Sequence, residues 1–213
     1  MADFTKDIED YLRIERETLE KLDVSEISRA INVLLGALED ERTVYVFGNG
    51  GSGSTASHFA GDFNKGVSEG LPKVFRFQCL NDNIPTLMAV ANDFDYKEVF
   101  VYQLKGRVKP GDVVMAISGS GNSMNVVKAA EYAREQGATV IGLTGYSGGR
   151  LKALSDVSLH VPADSMQIAE DVHLIFDHLM MAVLCERLKG VRHIKENKDR
   201  VSCSCEKGET PSC

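Results

Sequence analysis

The chain has 213 residues, a length that suits one domain with a single sizeable core. Hydrophobic residues make up 43% and charged residues 26%, which is the composition of an ordinary soluble globular protein. The formal net charge of -7, from 24 basic and 31 acidic residues, argues against broad binding to nucleic acid or to an anionic membrane, because both need basic patches. The N-terminus lacks the basic start and apolar centre of a signal peptide, and no apolar run is long enough to span a membrane. We therefore expect a cytoplasmic protein.

Two amphipathic helices are predicted first, over 4–22 and 25–40, from apolar residues at helical spacing. Strands and helices then alternate along the chain. The predicted strands are TVYVF (43–47), KVFRFQCL (73–80), GDVVMAI (111–117), ATVIGLT (138–144) and VSLHV (157–161). The later helices are predicted over 54–65, 123–136 and 166–188, with helical turns at 83–92 and 95–104. This alternation predicts a doubly wound, flavodoxin-like α/β fold, in which a parallel five-stranded sheet is covered by helices on both faces.

The predicted domain covers residues 1–190, from the N-terminal helical pair to the end of a long C-terminal helix. Residues 191–213 are polar and weakly patterned, and we expect a disordered tail there. The tail contains three of the five cysteines, which are Cys203, Cys205 and Cys213. An odd cysteine count with this crowding does not indicate a disulfide framework, and the sequence leaves the role of these thiols open.

A glycine-rich loop follows the first predicted strand. Gly48, Gly50 and Gly53 match the G-x-G-x-x-G pattern of dinucleotide-binding proteins, which makes that class an alternative. The pattern also requires an acidic residue at the end of the next strand, whereas Glu69 precedes that strand. The loop is rich in hydroxyl groups, which suit a terminal phosphate, and no Gly-Lys-Ser/Thr follows as in a Walker loop. We therefore predict no nucleotide cofactor.

A second loop, Ser118-Gly-Ser-Gly-Asn-Ser123, follows the third predicted strand and precedes a helix. The carboxyl ends of parallel strands meet at one edge of a sheet, and ligands of open parallel sheets bind there. Two such loops bring serine hydroxyls, backbone N–H groups and a helix N-terminus to one place. This combination favours a phosphate monoester without the need for arginine.

These motifs, GNGGS (48–52), SGSGNS (118–123) and the long closing helix, resemble the sugar isomerase (SIS) domain family. The two leading helices, His58-Phe-Ala, Ala91-Asn-Asp-Phe94 and Leu143-Thr-Gly145 are similar to the phosphoheptose isomerase branch of that family. The resemblance covers residues 4–188. It implies an aldose–ketose isomerase that converts sedoheptulose 7-phosphate to D-glycero-D-manno-heptose 7-phosphate through an enediol. It also implies a homotetramer with active sites at the subunit interfaces.

The same resemblance implies the residues of the site. The phosphate is expected to bind to Ser52, Ser118, Ser120 and Ser123. The sugar is expected to contact Asn49, Gly50, Gly51, Asp62, Asn92, Asp93, Gly119 and Glu170. Asp62 matches the catalytic carboxylate of the family, and His178 matches its catalytic histidine. Moving a proton between neighbouring carbons needs a positioned base and acid, and imidazole titrates in the right range.

A metal site is a further implication. His58 and Asp62 lie four residues apart, so they share one face of a helix. The resemblance adds Glu170 and His178 to these two and implies one Zn²⁺ per subunit, held by two imidazoles and two carboxylates. Helix spacing alone favours Asp171 over Glu170, because Asp171 precedes His178 by seven residues and faces it better. The inclusion of Glu170 therefore depends on the resemblance.

Two alternative functions stay open. The first is an isomerase of a different sugar phosphate, suggested by Asp62, Glu170 and Gly66 where the family usually has glutamate, glutamine and a basic residue. The second is a non-catalytic SIS module that binds phosphosugars or other proteins, although a carboxylate at 62 and a histidine at 178 count against it. In either case the last helix is too apolar to face water along its length, which predicts a subunit interface.

Overall fold

The computed structural model of the protein describes residues 2–190. The strands are β1 (Thr43–Gly48), β2 (Arg76–Cys79), β3 (Val113–Ser118), β4 (Thr139–Thr144) and β5 (Val157–His160). The α-helices are α1 (Thr5–Leu19), α2 (Val24–Glu39), α3 (Gly51–Gly61), α4 (Ile84–Asp93), α5 (Val101–Leu104), α6 (Met124–Glu135), α7 (Gly149–Leu154) and α8 (Met166–Lys189). A π-helical turn over Asp62–Val67 continues α3, and a 3-10 turn over Tyr96–Glu98 precedes α5. The tail predicted over 191–213 lies outside the described residues.

The strands form one parallel sheet in the order β2-β1-β3-β4-β5. This is the flavodoxin-like order, and it confirms the predicted fold class. The chain leaves β1 toward one edge of the sheet and returns at β3 to build the other edge. The connections after β1 and β3 therefore diverge, and a crevice opens between the carboxyl ends of these two strands.

Alternate residues of each strand enter two separate cores. Along β1, Val44 and Val46 face a core formed with α2, α3 and α8, whereas Tyr45 and Phe47 face a core formed with α4, α5, α6 and α7. Side chains alternate between the faces of a strand, and helices on both sides bury both sets, which explains why the strands are almost continuously apolar. The sheet thus holds α3 and α8 together on one face.

The boundaries of some elements differ from those predicted. The helix predicted over 54–65 begins at Gly51, so the glycines of the first loop form its first turn. It ends in the π-helical turn, where Phe63 accepts hydrogen bonds at its carbonyl oxygen from the amide and the hydroxyl group of Ser68. Strand β2 covers only four residues of the eight predicted. The spacing of apolar residues does not predict where a helix or strand begins or ends, because it indicates which face is buried and not where backbone hydrogen bonding begins.

Two surface observations complete the fold. Within residues 2–190, no helix combines the length and the apolar character that a membrane span requires. At the N-terminal helix, the N-cap residue Phe4 and the helical residues Ile8 and Leu12 are exposed and apolar, and their spacing of four residues places them on one face.

The aromatic cluster beneath the π-helical turn gives a stability prediction. Phe63 is fully buried, and its ring centroid lies 4.6 Å from that of Phe77 and 5.2 Å from that of Phe75. Phe63→Ala should lower the free energy of unfolding by about 3–5 kcal/mol, because it leaves a cavity. Phe94→Ala is the matched control, since Phe94 is exposed, and it should cost about 1 kcal/mol at most. Equal losses in urea unfolding would contradict this assignment of the core.

Candidate active site

The two glycine- and serine-rich loops lie side by side at the crevice between β1 and β3. Gly48 ends β1, and a Cβ atom there would come within 2.7 Å of Ser52 Cβ, so the close turn requires glycine. Gly50 precedes α3 with a φ of 54°, a left-handed conformation that glycine adopts without strain. Asn81 anchors this loop: its Nδ2 donates to the Gly48 oxygen at 2.8 Å, and the Gly48 amide donates to its Oδ1 at 3.2 Å.

An open cavity of about 220 Å³ lies between the loops. Its lining residues are Asn49, Gly50, Gly51, Ser52, Ile117, Ser118, Gly119, Ser120, Ser123, Met166 and Glu170. The structure thus brings together the four serines that the sequence analysis assigned to phosphate. Ser123 is the N-cap of α6, so the positive end of that helix dipole faces the cavity, and the Ser118 hydroxyl donates to the Ser123 hydroxyl at 3.2 Å. None of the described residues that line the cavity is basic.

Glu170 brings a carboxylate into this cavity. It lies on the first turns of α8, and a Cβ atom on Gly51 would come within 2.6 Å of its Oε1, so the two helices meet closely here. A carboxylate beside an anion site accepts hydrogen bonds from hydroxyl groups and repels a second anion. Its position therefore suits a polyhydroxylated ligand whose phosphate lies farther along the cavity.

Asn49 is held rigidly at the edge of the cavity. Its Nδ2 donates to Asn125 Oδ1 at 2.9 Å, and its Oδ1 accepts from Asn125 Nδ2 and from the Tyr96 hydroxyl, both at 2.8 Å. Asn125 and Tyr96 belong to no motif of their own, so the sequence alone does not identify them. By contrast, Asn92 and Asp93 are exposed at the end of α4 and do not line the cavity. Their contact with the sugar stays a prediction.

A second group of polar side chains lies farther along α3 and α8. It contains His58, Asp62, Asp177 and His178, and one ligand atom from each lies within 4.8 Å of all the others. The Nε2 atoms of His58 and His178 are 3.1 Å apart, and Asp62 Oδ2 lies 3.5 Å from the first and 3.9 Å from the second. We call these four residues the His/Asp cluster. The imidazoles are well exposed, at 44% and 56% of their side-chain surface.

The predicted metal set differs from this cluster in one residue. Three predicted residues, His58, Asp62 and His178, come together, but Glu170 is not among them. Eight residues separate Glu170 from His178, which places it roughly 12 Å away along the axis of α8 and roughly 80° around it. Asp177 stands in its place. The sequence contained a signal for this residue, since Asp177 is the one acidic residue between Asp171 and Glu186, in a mainly apolar stretch of α8.

Asp177 is unusual because it is fully buried and both its carboxylate oxygens have no hydrogen-bond partner among the described residues. Its Oδ2 lies 3.8 Å from His58 Nε2. Burial, and to a smaller extent the charge of Asp62, raises the pKa of Asp177 to about 8. An unsatisfied buried polar group costs about 1–3 kcal/mol, and more when it is charged, so this carboxyl group needs an explanation.

The His/Asp cluster has the composition and the spacing of a zinc site. Zinc accepts imidazole nitrogen and carboxylate oxygen, and bonds of about 2.0–2.2 Å place neighbouring tetrahedral ligand atoms about 3.3 Å apart. The Nε2–Oδ2 distances are 3.5 Å for His58 and Asp62, 3.8 Å for His58 and Asp177 and 3.9 Å for His178 and Asp62, and the two Nε2 atoms are 3.1 Å apart. Small side-chain movements would bring these ligand atoms onto one ion. The cluster therefore fits a divalent metal.

His173 is a second buried polar residue of α8. It has no exposed surface, neither ring nitrogen has a hydrogen-bond partner among the described residues, and burial lowers its pKa to about 4. A histidine in this position is neutral at physiological pH and serves as a core residue.

The fold and the cavity together define a doubly wound α/β protein in which serine hydroxyls and a helix N-terminus face a cavity at the carboxyl ends of the strands. The SIS domain family model matches residues 4–145. A phosphoheptose isomerase of Aromatoleum aromaticum is 38% identical over 179 residues, which cover 83% of this chain and 89% of that protein. One of Mycobacterium tuberculosis is 40% identical over 154 residues, with coverage of 72% and 78%.

Solved structures show the same relationship. The phosphoheptose isomerase of Neisseria gonorrhoeae superimposes with a TM-score of 0.79 at 29% identity, and the superposition covers 85% of this chain and 98% of that chain. That of Francisella tularensis gives a TM-score of 0.79 at 27% identity, with coverage of 86% and 98%. The chain belongs to the SIS domain family and, within it, to the phosphoheptose isomerases.

The buried imidazole of His173 predicts a dependence of stability on pH. Its pKa is about 4 in the native state and about 6.5 in the unfolded chain, so the unfolded chain binds the additional proton between these values. The contribution of neutral His173 to the free energy of unfolding is therefore fully present above pH 6.5. It decreases as the pH falls toward 4, by at most about 1.4 kcal/mol per pH unit.

This contribution can be isolated by comparison with His173→Leu, because all other titrating groups are common to both proteins. From urea unfolding at several pH values, the wild type should lose stability relative to the variant between pH 6.5 and 4. The difference should stay constant between pH 7 and 9. A difference that is independent of pH down to 4 would show that His173 is not buried as a neutral imidazole.

Proposed function

We propose that this protein is an aldose–ketose isomerase that interconverts sedoheptulose 7-phosphate and D-glycero-D-manno-heptose 7-phosphate through an enediol. The observation that carries the proposal is that α3 and α8 each contribute to both parts of the site. Their first turns line the serine-rich cavity, and their later turns carry the His/Asp cluster. The names of the relatives that are 38% and 40% identical support the same activity.

The separation of the two parts favours a long substrate. The cavity and the cluster are about eight residues apart on α8, which corresponds to roughly 12 Å. In an open-chain seven-carbon 7-phosphate, the reacting carbons C1 and C2 lie at the opposite end from the phosphate. We propose that the serines and the N-terminus of α6 hold the phosphate, while Glu170 and Asn49 accept and donate hydrogen bonds along the sugar chain.

Asp62 and His178 are the side chains that we assign to proton transfer. Isomerisation removes a proton from C1 or C2 and returns one to the neighbouring carbon, while a proton moves between the two oxygens. A carboxylate can carry the carbon-bound proton between adjacent positions on one face of the substrate, and an imidazole can exchange the hydroxyl proton. The two groups are 3.9 Å apart and both reach solvent, so one substrate can contact both.

We further propose that the site holds one Zn²⁺ per subunit, with His58, Asp62 and His178 as ligands. The spacing of their ligand atoms supports this assignment. Such an ion, when bound, supplies a positive charge that polarises a carbonyl group and stabilises negative charge on oxygen. The predicted fourth ligand, Glu170, belongs to the same proposal, although its carboxylate lies at the cavity in this chain.

The assembly we propose is a homotetramer with active sites at the subunit interfaces. The exposed apolar residues Phe4, Ile8 and Leu12 of α1 support an interface there, because single exposed apolar residues are common but an aligned set is not. The exposed imidazole rings of the His/Asp cluster are open to contributions from a neighbouring subunit. A cytoplasmic location and a single domain over 1–190 complete this proposal.

A different sugar phosphate is the second candidate. The specific observation in its favour is the chemistry of the sugar-contacting part, where Asp62 is a short carboxylate and Glu170 is negatively charged. These residues change the hydrogen-bonding pattern offered to a substrate and leave the four serines of the cavity in place. The two candidates share the reaction type and differ in which hydroxyl groups the site accepts.

The activity is tested by NMR of the purified protein with sedoheptulose 7-phosphate in deuterated water. We expect the aldose to form and deuterium to enter at C1. Asp62→Asn and His178→Gln should each lower kcat by about 10²–10⁴-fold, the usual contribution of a positioned acid or base. Glu131→Gln, on the outer side of α6 where Glu131 pairs with Arg150, is the control and should retain full activity.

The outcomes separate the candidates. Deuterium incorporation without net product would show that the enediol forms but that the sugar is not the native one, which favours the second candidate. The absence of both signals in the wild type would rule out the proposed reaction on this sugar.

The serine cavity gives a separate prediction for binding. Ser120→Ala and Ser123→Ala should each raise KM by about 10-fold or more, because each removes a hydrogen bond to a charged phosphate. The phosphate does not change during the reaction, so kcat should change little. Ser57→Ala is a matched control on α3, since its hydroxyl donates to Asp82 at 2.8 Å outside the cavity. Unchanged KM values in both cavity variants would place the phosphate elsewhere.

A further inference from the structure

Asn49 is the point at which three segments of the chain meet beside the serine cavity. It lies between β1 and α3, and its side chain contacts Asn125 near the start of α6 and Tyr96 in the 3-10 turn before α5. Among the described residues, Asn125 and Tyr96 line a second cavity of about 400 Å³, which shares Asn49 and Ser123 with the serine cavity. Asn49 therefore faces the serine cavity, and the two residues that hold it lie behind it.

The direction of this hydrogen-bond network is fixed by a backbone amide. The Val126 N–H donates to Asn125 Oδ1 at 3.0 Å, and because a backbone N–H can only donate, the side-chain oxygen of Asn125 must face it. Asn125 Nδ2 is then left to donate to Asn49 Oδ1 at 2.8 Å, and Asn49 Nδ2 donates back to Asn125 Oδ1 at 2.9 Å. Asn125 is buried, so water competes little for these bonds.

Asn49 consequently presents only a donor to a ligand. Its Oδ1 accepts from Asn125 Nδ2 and from the Tyr96 hydroxyl, which together occupy both lone pairs of that oxygen. Its Nδ2 uses one N–H on Asn125 and has no further partner among the described residues, so the second N–H is available at the cavity. A ligand group beside Asn49 must therefore offer an oxygen lone pair, as a hydroxyl or carbonyl oxygen does.

We propose that Asn125 and Tyr96 are positioning residues of the sugar-phosphate site, which hold Asn49 so that it donates one hydrogen bond to the substrate and accepts none. This inference rests on the proposed function and identifies the residues that set the polarity of one sugar contact. Glu170 also lines the cavity and can only accept when ionised, so a sugar hydroxyl can accept from Asn49 and donate to Glu170. Because the amide is oriented before the ligand arrives, binding does not have to order it.

The test is a double-mutant cycle on ligand binding. The probe is the heptitol 7-phosphate formed by reducing the ketone of sedoheptulose 7-phosphate, because it keeps the phosphate and the hydroxyl chain but cannot be isomerised. Calorimetry gives its dissociation constant for the wild type, for Tyr96→Phe, Asn125→Ser and Asn49→Ala, and for Asn49→Ala combined with each of the first two. Tyr102→Phe is the matched control, since Tyr102 is an exposed tyrosine whose hydroxyl has no hydrogen-bond partner among the described residues.

We expect Asn49→Ala to weaken binding about 10-fold, and Tyr96→Phe and Asn125→Ser to weaken it about 3- to 10-fold each, because a misoriented amide loses its hydrogen bond to the sugar. In the Asn49→Ala background, each of these two substitutions should change the dissociation constant by less than about twofold, because its effect passes through Asn49. Tyr102→Phe should bind as tightly as the wild type. In turnover of sedoheptulose 7-phosphate, the two positioning variants should raise KM and leave kcat nearly unchanged.

Folding of the variants is checked by their melting temperatures. Tyr96 is exposed, so Tyr96→Phe should melt close to the wild type and keeps the test decisive if replacement of the buried Asn125 is destabilising. Losses of affinity that persist undiminished in the Asn49→Ala background would overturn the proposal. So would unchanged affinity in both single variants, or the absence of binding by the wild type. Because the heptitol does not react, the expected coupling without any turnover of the ketose would contradict the proposed reaction but not the positioning of Asn49.

Discussion

The strand order β2-β1-β3-β4-β5 is the constraint on which the rest of the structure depends. A parallel sheet leaves space at the carboxyl ends of its strands where the connections that follow two neighbouring strands diverge. In this chain that space lies between β1 and β3, and each strand ends in a loop of small residues. Gly48 permits the close turn onto Ser52, and Gly121, at a φ of 66°, brings the second loop against the Gly148 carbonyl group. A Cβ atom at these positions would clash with Ser52 or with the backbone of Gly148, so a larger residue would force the two loops apart.

The pairing of α3 with α8 extends the site beyond this crevice. Both helices pack against the same face of the sheet, and Phe59 and Phe176 anchor them in one core. Their polar residues are therefore fixed relative to each other by close packing of apolar side chains, not by flexible surface contacts. The arrangement places one side of the serine cavity and the imidazole and carboxylate groups of the His/Asp cluster on a single rigid unit, and the proposed chemistry on an extended sugar phosphate requires such fixed positions.

Much of this architecture was predictable from the sequence, because the two patterns that indicate it, apolar runs and glycine–serine loops, are local. Continuous apolar runs predict buried strands, and the glycine–serine loops that follow them predict an anion site at the strand ends. The individual residues of the His/Asp cluster and the partners of Asn49 were harder to predict from the sequence. Asp177 lies one residue from His178, yet its burial depends on how α8 rotates against α3. Asn125 and Tyr96 belong to no motif, and only tertiary packing brings their side chains to Asn49.

The absence of lysine and arginine among the described residues that line the serine cavity has a kinetic consequence. A protein with a net charge of -7 generates a field that opposes the approach of an anionic sugar phosphate, and no basic side chain among the described lining residues offsets it. At the proposed phosphate site, capture then depends on short-range contacts with hydroxyl groups and amide dipoles, which act only after the ligand has entered. Association is expected to be slow relative to electrostatically steered encounters and to become faster, not slower, as added salt screens the repulsion.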